Sequence, residues 1–317
     1  MNEERHDAAN FRNFIVYRND IKYRSKREID IDRAEFVDDE VRSDYLNCDT
    51  DGIDYRIKEC HIEGDTVLDL SHMTSHAFEE LIAHPDFSIL RERIAIITAN
   101  ESDIAHVPDM RMFPKLVAID LSGNVLQELP RFPDSLEELI IDNNNVSHVP
   151  HIVNLKRLRA KNNDLREIEF NASLESLIVS DNPNLTQLAA LDNLYLMEIA
   201  KTGIKTVPSC SKLKFLDMDD TAITTLPEMD SLAILSCSRS ELSDISRLTS
   251  LFSIVAGNSK LRRLHYMASL QTFSFNEEHY DEVLMSSKYV VKRMIKNKDN
   301  IIELVFKDKL VPKRILN

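Results

Sequence analysis

The sequence has few of the residues on which several large classes of protein depend. Its 317 residues include five glycines, four cysteines and no tryptophan. The glycines form no glycine-rich phosphate loop of the kind that binds nucleotides. The cysteines form no CxxC pair and no dense framework, so we expect reduced thiols rather than disulfides.

Long apolar runs are also missing. No segment approaches the roughly 18 apolar residues of a membrane-spanning helix. The charged opening, MNEERHDAANFRNF, lacks the apolar core of a signal peptide. The sequence therefore predicts a soluble protein without a membrane partner, in the cytoplasm of its own cell or of a host cell.

Positive charge is in deficit, because 53 Asp and Glu residues outnumber 39 Lys and Arg residues and give a net charge of −14. A protein that binds nucleic acid through a broad basic surface needs clustered Lys and Arg side chains for its phosphate contacts. The charge balance argues against a nucleic-acid partner. It favours another protein, with a basic contact patch on that protein as one option.

What the sequence does have is an apolar fraction of 43% and one apolar pattern that recurs. Ten consecutive segments, from Ile94 to Leu270, follow the pattern LxxLxLxxNxLxxLP at spacings of 19 to 22 residues. Self-similarity at a short, nearly fixed period is the signature of a repeat protein. One unit is too small to bury its own apolar residues, so we expect the units to stack as a solenoid around a continuous core.

This pattern resembles the leucine-rich-repeat superfamily. The segment LVAIDLSGNVLQELP, residues 116–130, matches the consensus at every defining position. The segment FPDSLEELIIDNNNVSHVP, residues 132–150, is similar to repeats of the short-repeat effectors of pathogenic bacteria, and intracellular leucine-rich-repeat proteins also resemble this chain. The resemblance implies an α/β-type repeat solenoid, a horseshoe with a parallel β-sheet on its concave side and helical caps. Because units of 19 to 20 residues leave little room for a helix, we predict an extended or 3₁₀ convex side.

The chain is predicted to have four regions. They are a charged leader at 1–54, an N-terminal cap with a first long repeat at 55–93, an array of ten short units at 94–279, and a C-terminal capping helix with a basic tail at 280–317. The leader carries a basic block followed by an acidic block. It is either a partly disordered segment or a small segment that docks a partner.

Apolar spacing defines the two ends of the array. Leu68 precedes Ile97 by 29 residues, a spacing typical of a longer unit, and the stretch 73–83 is helix-like. After the array, five apolar residues have approximately helical spacing and predict a capping helix. These residues are Val283, Leu284, Val291, Met294 and Ile295.

A polar position recurs where each strand is expected to turn a corner. It is occupied by Asn124, Asn144, Asn163, Asn182, Thr202, Thr221, Ser240 and Ser259. An Asn side chain at such a corner donates its amide hydrogens to backbone carbonyls of neighbouring turns. Thr and Ser retain one hydroxyl donor with a shorter reach, so we predict that Thr221 is buried and bonded to a backbone carbonyl.

Strand alternation also predicts which side chains point outward from the concave sheet, where solenoids commonly hold partners. The candidate partner-binding residues are Asp120, Glu138, Ile140, Asp142, Arg157, Arg159, Lys161, Ile178, Phe215, Asp217, Asp219 and Asp220. Two interpretations stay open for the charged ones. Glu138 and Asp142 either contact a partner or neutralise Arg157 and Lys161 of the next unit as cross-strand pairs. The aspartates 217–220 either contact a basic partner or form a solvated acidic face.

Two short motifs suggest metal sites but lack a required residue. The segment NCDTDGIDYRIK begins like an EF-hand calcium loop, but it has Lys58 where the loop needs a glutamate. The segment HMTSH has the two histidines of the zinc motif HExxH, but it has Met73 where that motif has its glutamate. The sequence predicts no metal, no cofactor and no catalytic residues, because no nucleophile, base and orienting group come together.

The functional prediction is a non-enzymatic interaction scaffold whose concave face binds a protein. The alternative is an adaptor or pathogen effector whose leader or tail recruits a ligase or a phosphatase. An enzyme with an unfamiliar site is the third class. The oligomeric state stays open.

Overall fold

The computed structural model describes residues 66–71, 77–261, 264–265, 267–276, 291–296 and 301–306. All of them lie in the second of two units of the chain, Ile53–Asn317. The predicted leader, the EF-hand-like segment, His72, His76 and the basic tail lie outside the described residues.

The main sheet has 13 strands, and two further strands form a separate pair. In chain order they are β1 (Val67–Asp69), β2 (Ile96–Thr98), β3 (Ala118–Asp120), β4 (Glu138–Ile140), β5 (His148–Val149), β6 (Arg157–Arg159), β7 (Glu167–Ile168), β8 (Ser176–Ile178), β9 (Leu196–Glu198), β10 (Phe215–Asp217), β11 (Ile234–Ser236), β12 (Ser253–Val255), β13 (Thr272–Asn276), β14 (Val291–Lys296) and β15 (Ile301–Phe306). The order across the main sheet is β1-β2-β3-β4-β6-β8-β9-β10-β11-β12-β13-β15-β14. In the main sheet, which leaves out β5 and β7, the strands from β1 to β13 run parallel, and each pairs with the strand of the next unit.

The register of the sheet places equivalent residues of successive units opposite each other. Leu139 lies opposite Leu158, and Leu158 lies opposite Leu177. All three side chains have no exposed surface. A buried leucine contributes about 1.5–3 kcal/mol relative to an exposed one, so this column alone supplies a large part of the stability of the stack. The predicted parallel solenoid is therefore confirmed.

The N-terminal end of the array has the longer unit that the 29-residue spacing suggests. Leu68 of β1 lies opposite Ile97 of β2. Two helices lie between these strands, α1 (Ala77–Ala83) and α2 (Phe87–Leu90). The buried Phe87 ring contacts Phe113 edge-on, with the ring centres 5.8 Å apart.

The convex side of the short units is mostly extended, as predicted. Its regular elements in the described part of the chain are the parallel pair β5 and β7 and one 3₁₀ turn, Met110–Met112. Units of this length have too few residues to add a helix after the strand and the corner. No helix in the described residues combines the length and the apolarity needed to cross a bilayer.

The predicted C-terminal capping helix is wrong for the part of it that the structure describes. Val291, Met294 and Ile295 belong to β14, which pairs antiparallel with β15. β15 in turn pairs antiparallel with β13, the last parallel strand. Val283 and Leu284, the other two residues of the predicted helix, lie outside the described residues.

A physical reason for this difference is the open edge of β13. Unpaired backbone groups of an edge strand are satisfied when another strand pairs with them. β15 does so and places Leu304 opposite Phe273, both fully buried. The three apolar residues of β14 have helical spacing but are too few to decide between a helix and a strand, and the β-branched residues of β14 and β15 favour strands.

Candidate protein-binding face

Three columns of outward positions run across the concave sheet. The first column consists of the first residues of the strands, such as Leu196, Phe215 and Ile234, which lie side by side in register. The second column consists of their third residues, such as Glu198 and Asp217. The third column lies two residues beyond each strand, as Asp142, Lys161 and Asp219 do. Because buried side chains of the same strands are locked in the core, the backbone holds these columns in fixed positions.

The asparagines at the corners connect successive units. The Asn124 side chain donates to Ala99 O of the preceding unit at 2.8 Å and to Leu121 O of its own unit at 2.9 Å. Its Oδ1 accepts from Ile104 N, also in the preceding unit, at 2.9 Å. Asn144 makes the equivalent bonds to Leu121 O, Ile141 O and Leu126 N. Asn163 and Asn182 likewise donate to the preceding unit.

The later corners have a shorter polar contact. Thr221 is 5% exposed, and its hydroxyl donates to Met218 O at 2.7 Å. This is the hydrogen bond that the sequence predicts for Thr221. Thr202, Ser240 and Ser259 also donate to the carbonyl three residues before them. The hydroxyl therefore satisfies a group of its own unit, whereas each asparagine also reaches the preceding unit.

The basic residues of the concave face are bonded to carboxylates of the same face. Arg157 Nε lies 2.8 Å from Glu138 Oε2, and an Arg159 guanidinium nitrogen lies 2.6 Å from Asp142 Oδ2. Lys161 Nζ reaches across β8 to Glu198 Oε2 at 2.8 Å. We call these residues the ion-pair patch: Glu138, Asp142, Arg157, Arg159, Lys161 and Glu198.

The cross-strand interpretation therefore fits the structure for Glu138 and Arg157, which lie opposite each other in register. The partner of the Asp142 carboxylate differs from the expected one. Its ion pair is with Arg159, while Lys161 donates only its backbone N–H to Asp142 Oδ1, at 2.8 Å. Contact with a partner is untested for all of these residues and stays a prediction.

The three aspartates near β10 have different surroundings. Asp220 bonds to Arg239 of the next unit, with a guanidinium nitrogen 2.6 Å from Oδ2, and this hydrogen bond lowers the pKa of Asp220. Asp219 Oδ1 accepts from Ser236 Oγ at 2.8 Å and from Ser238 N at 2.7 Å. Within the described residues, neither Asp217 nor Asp219 forms a salt bridge with Lys or Arg.

Asp217 is the electrostatically unfavourable member of this group. Its Oδ1 accepts a hydrogen bond from Asp219 N at 3.1 Å. The pKa of Asp217 is raised from 3.8 to about 6, with burial as the largest cause. The charges of Asp219 and Glu198 contribute to the rise, and the Asp219 N–H and the Lys161 charge oppose it. A half-buried carboxylate with too little compensation is a group that a cation from outside would stabilise.

Apolar side chains lie directly beside these carboxylates. Phe215 and Ile234 are half-buried neighbours in the first column, and Leu196, on the other side of Phe215, is 4% exposed. We call Phe215, Ile234, Asp217 and Asp219 the mixed patch. Phe215 was predicted from the sequence and Ile234 was missed, although both are the first residue of their strand and precede an inward leucine.

Three further candidate residues of the face belong to neither patch. Ile178 is buried, and Ile140 is half-buried between the second-column residues of its neighbouring strands. The half-buried Asp120 accepts hydrogen bonds from Ser122 N at 2.9 Å and from Ser122 Oγ at 2.6 Å.

A second concavity of about 470 Å³ lies beside β5 and β7. It is lined by Gln127, Asn145, Ser147, Asp164 and Arg166. The Asp164 carboxylate already accepts from Asn184 at 2.6 Å and from Arg166 at 3.2 Å. None of the lining residues is apolar, so this hollow fits a protein partner less well than the mixed patch does.

The described cysteines are placed as core residues. Cys210 and Cys237 are fully buried and unpaired. Burial raises the pKa of both thiols, which disfavours the reactive thiolate. Among the residues that the structure describes, no three His, Cys, Asp or Glu side chains converge in a way that could hold a metal ion.

Comparison with known proteins gives a match to structures. No protein-family model matches the chain, and no curated protein matches its sequence. The leucine-rich effector protein YopM from Yersinia pestis is 22% identical, with a TM-score of 0.55 over 69% of this chain and 74% of that chain. A chain of the LRIM1/APL1C complex is 18% identical, with a TM-score of 0.54 over 69% of this chain and 52% of its own. At this identity the likeness concerns the fold, and it is the fold predicted from the repeat.

Proposed function

We propose that this leucine-rich-repeat solenoid is a non-catalytic scaffold that holds a protein partner on the mixed patch of its concave sheet. The observation that carries the proposal is the contrast between two parts of one face. In the ion-pair patch every basic side chain is bonded to a carboxylate. In the mixed patch, Asp217 and Asp219 form no salt bridge with any residue that the structure describes, and they lie beside the half-buried Phe215 and Ile234.

Rigid presentation makes such a face suitable for binding. Leu216, between Phe215 and Asp217, is fully buried, as is Leu235 in β11. The strand backbones are therefore held before a partner arrives. Less conformational entropy is lost on association when the binding side chains already project from an ordered scaffold.

Charge favours the mixed patch over the ion-pair patch as a contact for a basic surface. To bind at Glu138 or Asp142, a partner would have to displace an arginine that is already bonded there. At Asp217 a partner cation would relieve an existing penalty. The net charge of −14 adds a long-range attraction for a basic protein.

We place this activity in a reducing compartment, the cytoplasm of the producing cell or of a host. The buried, unpaired Cys210 and Cys237 support this part of the proposal, because proteins of oxidising compartments commonly pair their cysteines.

The test is affinity capture with the full chain and two pairs of variants. Phe215→Ala and Asp217→Asn remove the apolar and the acidic contact of the mixed patch. Phe132→Ala and Asp244→Asn are matched controls, because neither residue belongs to a strand of the concave sheet. Phe132 is half-buried, as Phe215 is, and Asp244 accepts an N–H from the residue two positions later, as Asp217 does.

We expect a protein captured by the intact chain to be retained by both controls and lost by both mixed-patch variants. Unfolding curves of all four variants establish that they are folded. A partner list that the mixed-patch variants leave unchanged would overturn the proposal.

A further inference from the structure

The dimensions of the mixed patch restrict what can bind to it. Neighbouring strands of a sheet lie about 4.8 Å apart, and residues two apart in one strand are separated by about 6.6 Å. Phe215 has Leu196 and Ile234 at one strand spacing on either side, and Asp217 lies on the same strand as Phe215. The patch thus has a row of three apolar residues, Leu196, Phe215 and Ile234, and one acidic residue, Asp217, beside the centre of that row.

Ion pairs lie in two directions from Asp217, toward β9 and toward the corner after β10. On the β9 side, Glu198 is bonded to Lys161. At the corner beyond the third column, Asp220 is bonded to Arg239. In the second column, the neighbour of Asp217 on the β11 side is the uncharged Ser236. Among the described residues of these two columns, a cation can therefore reach Asp217 and the adjacent Asp219 without displacing a Lys or Arg side chain, so there is room for one basic residue.

We infer that the mixed patch binds an extended segment of a partner protein that carries an apolar–basic–apolar triplet, with the basic residue at Asp217 and the apolar residues on either side of Phe215. This inference rests on the proposed function and specifies its partner. The segment crosses the strands, so that its alternate side chains point toward the first and the second column in turn.

The spacing of an extended chain fits this arrangement. Residues i and i+2 of such a segment are about 6.6 Å apart, a distance between one strand spacing and two. They therefore contact the Phe215 ring from its Leu196 side and its Ile234 side. Residue i+1 projects to the opposite side at the level of β10, where Asp217 lies with the Asp219 carboxylate nearby.

Charge complementarity decides the identity of the central residue. An acidic side chain there would meet the carboxylates of Asp217, Asp219 and Glu198. A neutral one would leave the raised pKa of Asp217 in place. A Lys or Arg side chain offsets the buried negative charge, and charge-assisted hydrogen bonds are roughly twice as strong as neutral ones.

The experiment titrates the full-length protein, labelled with ¹³C on its Asp and Phe side chains, with synthetic peptides. GSGLKVGSG contains the triplet, GSGKLVGSG has the same composition with the basic residue moved, and GSGLQVGSG removes the charge. Chemical shifts report weak binding at millimolar peptide, so a low affinity does not hide the result.

We expect GSGLKVGSG to move the signals of Phe215 and Asp217 and to bind about tenfold more tightly than the other two peptides, about the contribution of one charge-assisted pair. It should also lower the pKa of Asp217 measured from its ¹³C shift. In Asp217→Asn the preference for GSGLKVGSG over GSGLQVGSG disappears, while Asp244→Asn, outside the concave sheet, retains it.

Equal affinity for the two isomers would overturn the inference, as would signals of Phe215 and Asp217 that no peptide moves. Tighter binding of a helical peptide with the same residues on one face would overturn it as well. These failures differ from failure of the proposed function. If affinity capture still depends on Phe215 and Asp217 while the peptides show no preference, the binding face stands and the triplet is wrong.

Discussion

Replacing Asp217 by Asn is expected to stabilise the folded protein at neutral pH. Burial, Asp219 and Glu198 raise the pKa of Asp217 from 3.8 to about 6, so the folded state favours the neutral carboxyl. An Asn side chain has nearly the same shape and stays neutral at every pH. It also keeps an oxygen that accepts the hydrogen bond from Asp219 N.

The size and the sign of the effect follow from proton linkage. Because the pKa is higher in the folded state, this state binds more protons than the unfolded chain between about pH 4 and pH 6, and stability falls as the pH rises through that window. A pKa difference of about two corresponds to about 3 kcal/mol at most, at about 1.4 kcal/mol per unit. Partial solvent access screens the charge, so we expect Asp217→Asn to gain about 1–2 kcal/mol above pH 6.

The assay is urea unfolding of the intact chain and Asp217→Asn at about pH 4, 6 and 7.5. The difference in unfolding free energy between the two proteins should be smallest at the lowest pH, grow toward pH 6 and then level off. Asp120→Asn, from the same column, gives the baseline for removing a carboxylate that accepts a similar backbone bond. A difference that does not vary with pH, or an Asn variant that is less stable above pH 6, would refute the reasoning.

Two further predictions concern the scaffold. Asn144→Ala should cost about 2–3 kcal/mol in urea unfolding and Thr221→Ala about 1 kcal/mol, because Asn144 bonds two units and Thr221 bonds one carbonyl of its own; equal costs would contradict this account of the corners. Cys210 and Cys237 should resist a thiol reagent in the folded protein and react in urea, since both are fully buried and burial raises both pKa values. Peptide mapping by mass spectrometry reads these two sites separately, and rapid labelling of either in the folded state would show that the core opens there.

The fold was predictable because each unit repeats the same apolar sequence pattern. One period of 19 to 22 residues fixes which leucines stack, and the structure has Leu139, Leu158 and Leu177 in one buried column. The C-terminal strands were missed because they do not follow the repeat. Their apolar runs are too short to decide between a helix and a strand, and the open edge of β13 that favours a strand is a property of the assembled sheet.

The sequence predicted which side chains point outward on the concave sheet, but it did not predict which contacts they make. Alternation along the strands identified the outward residues, because side-chain direction has a period of two. Lys161 was assigned to the neighbouring Asp142, whereas its amine reaches Glu198 two units away. Long side chains choose partners by distance in the folded protein, and sequence spacing does not contain that distance. The raised pKa of Asp217 could not be predicted for a similar reason, because it depends on how deeply the side chain is buried in the folded protein.

The two halves of the concave face differ in how their units are connected, and this difference coincides with the difference in charge. Under the ion-pair patch, Asn144 joins a carbonyl and an amide of the preceding unit, Leu121 O and Leu126 N. Under the mixed patch, the Thr221 hydroxyl bonds Met218 O of its own unit. Beside this corner, the next unit is connected by main-chain bonds such as Asp220 N to Ser238 O, at 2.9 Å, and by the carboxylates of Asp219 and Asp220, which bond Ser238 N and Arg239.

A partner that crosses β9, β10 and β11 would add contacts between units at the place where the hydroxyls of Thr202, Thr221 and Ser240 bond carbonyls of their own units. Binding free energy released there also stabilises the folded state, because a ligand that binds only the folded protein shifts the folding equilibrium toward it. Because the pKa of Asp217 is raised, its negative charge lowers the stability of the folded protein above about pH 6, and a bound cation would reduce that penalty. The charge of Asp217 would therefore have two effects: it lowers the stability of the free protein, and it favours the binding of a basic partner that neutralises it.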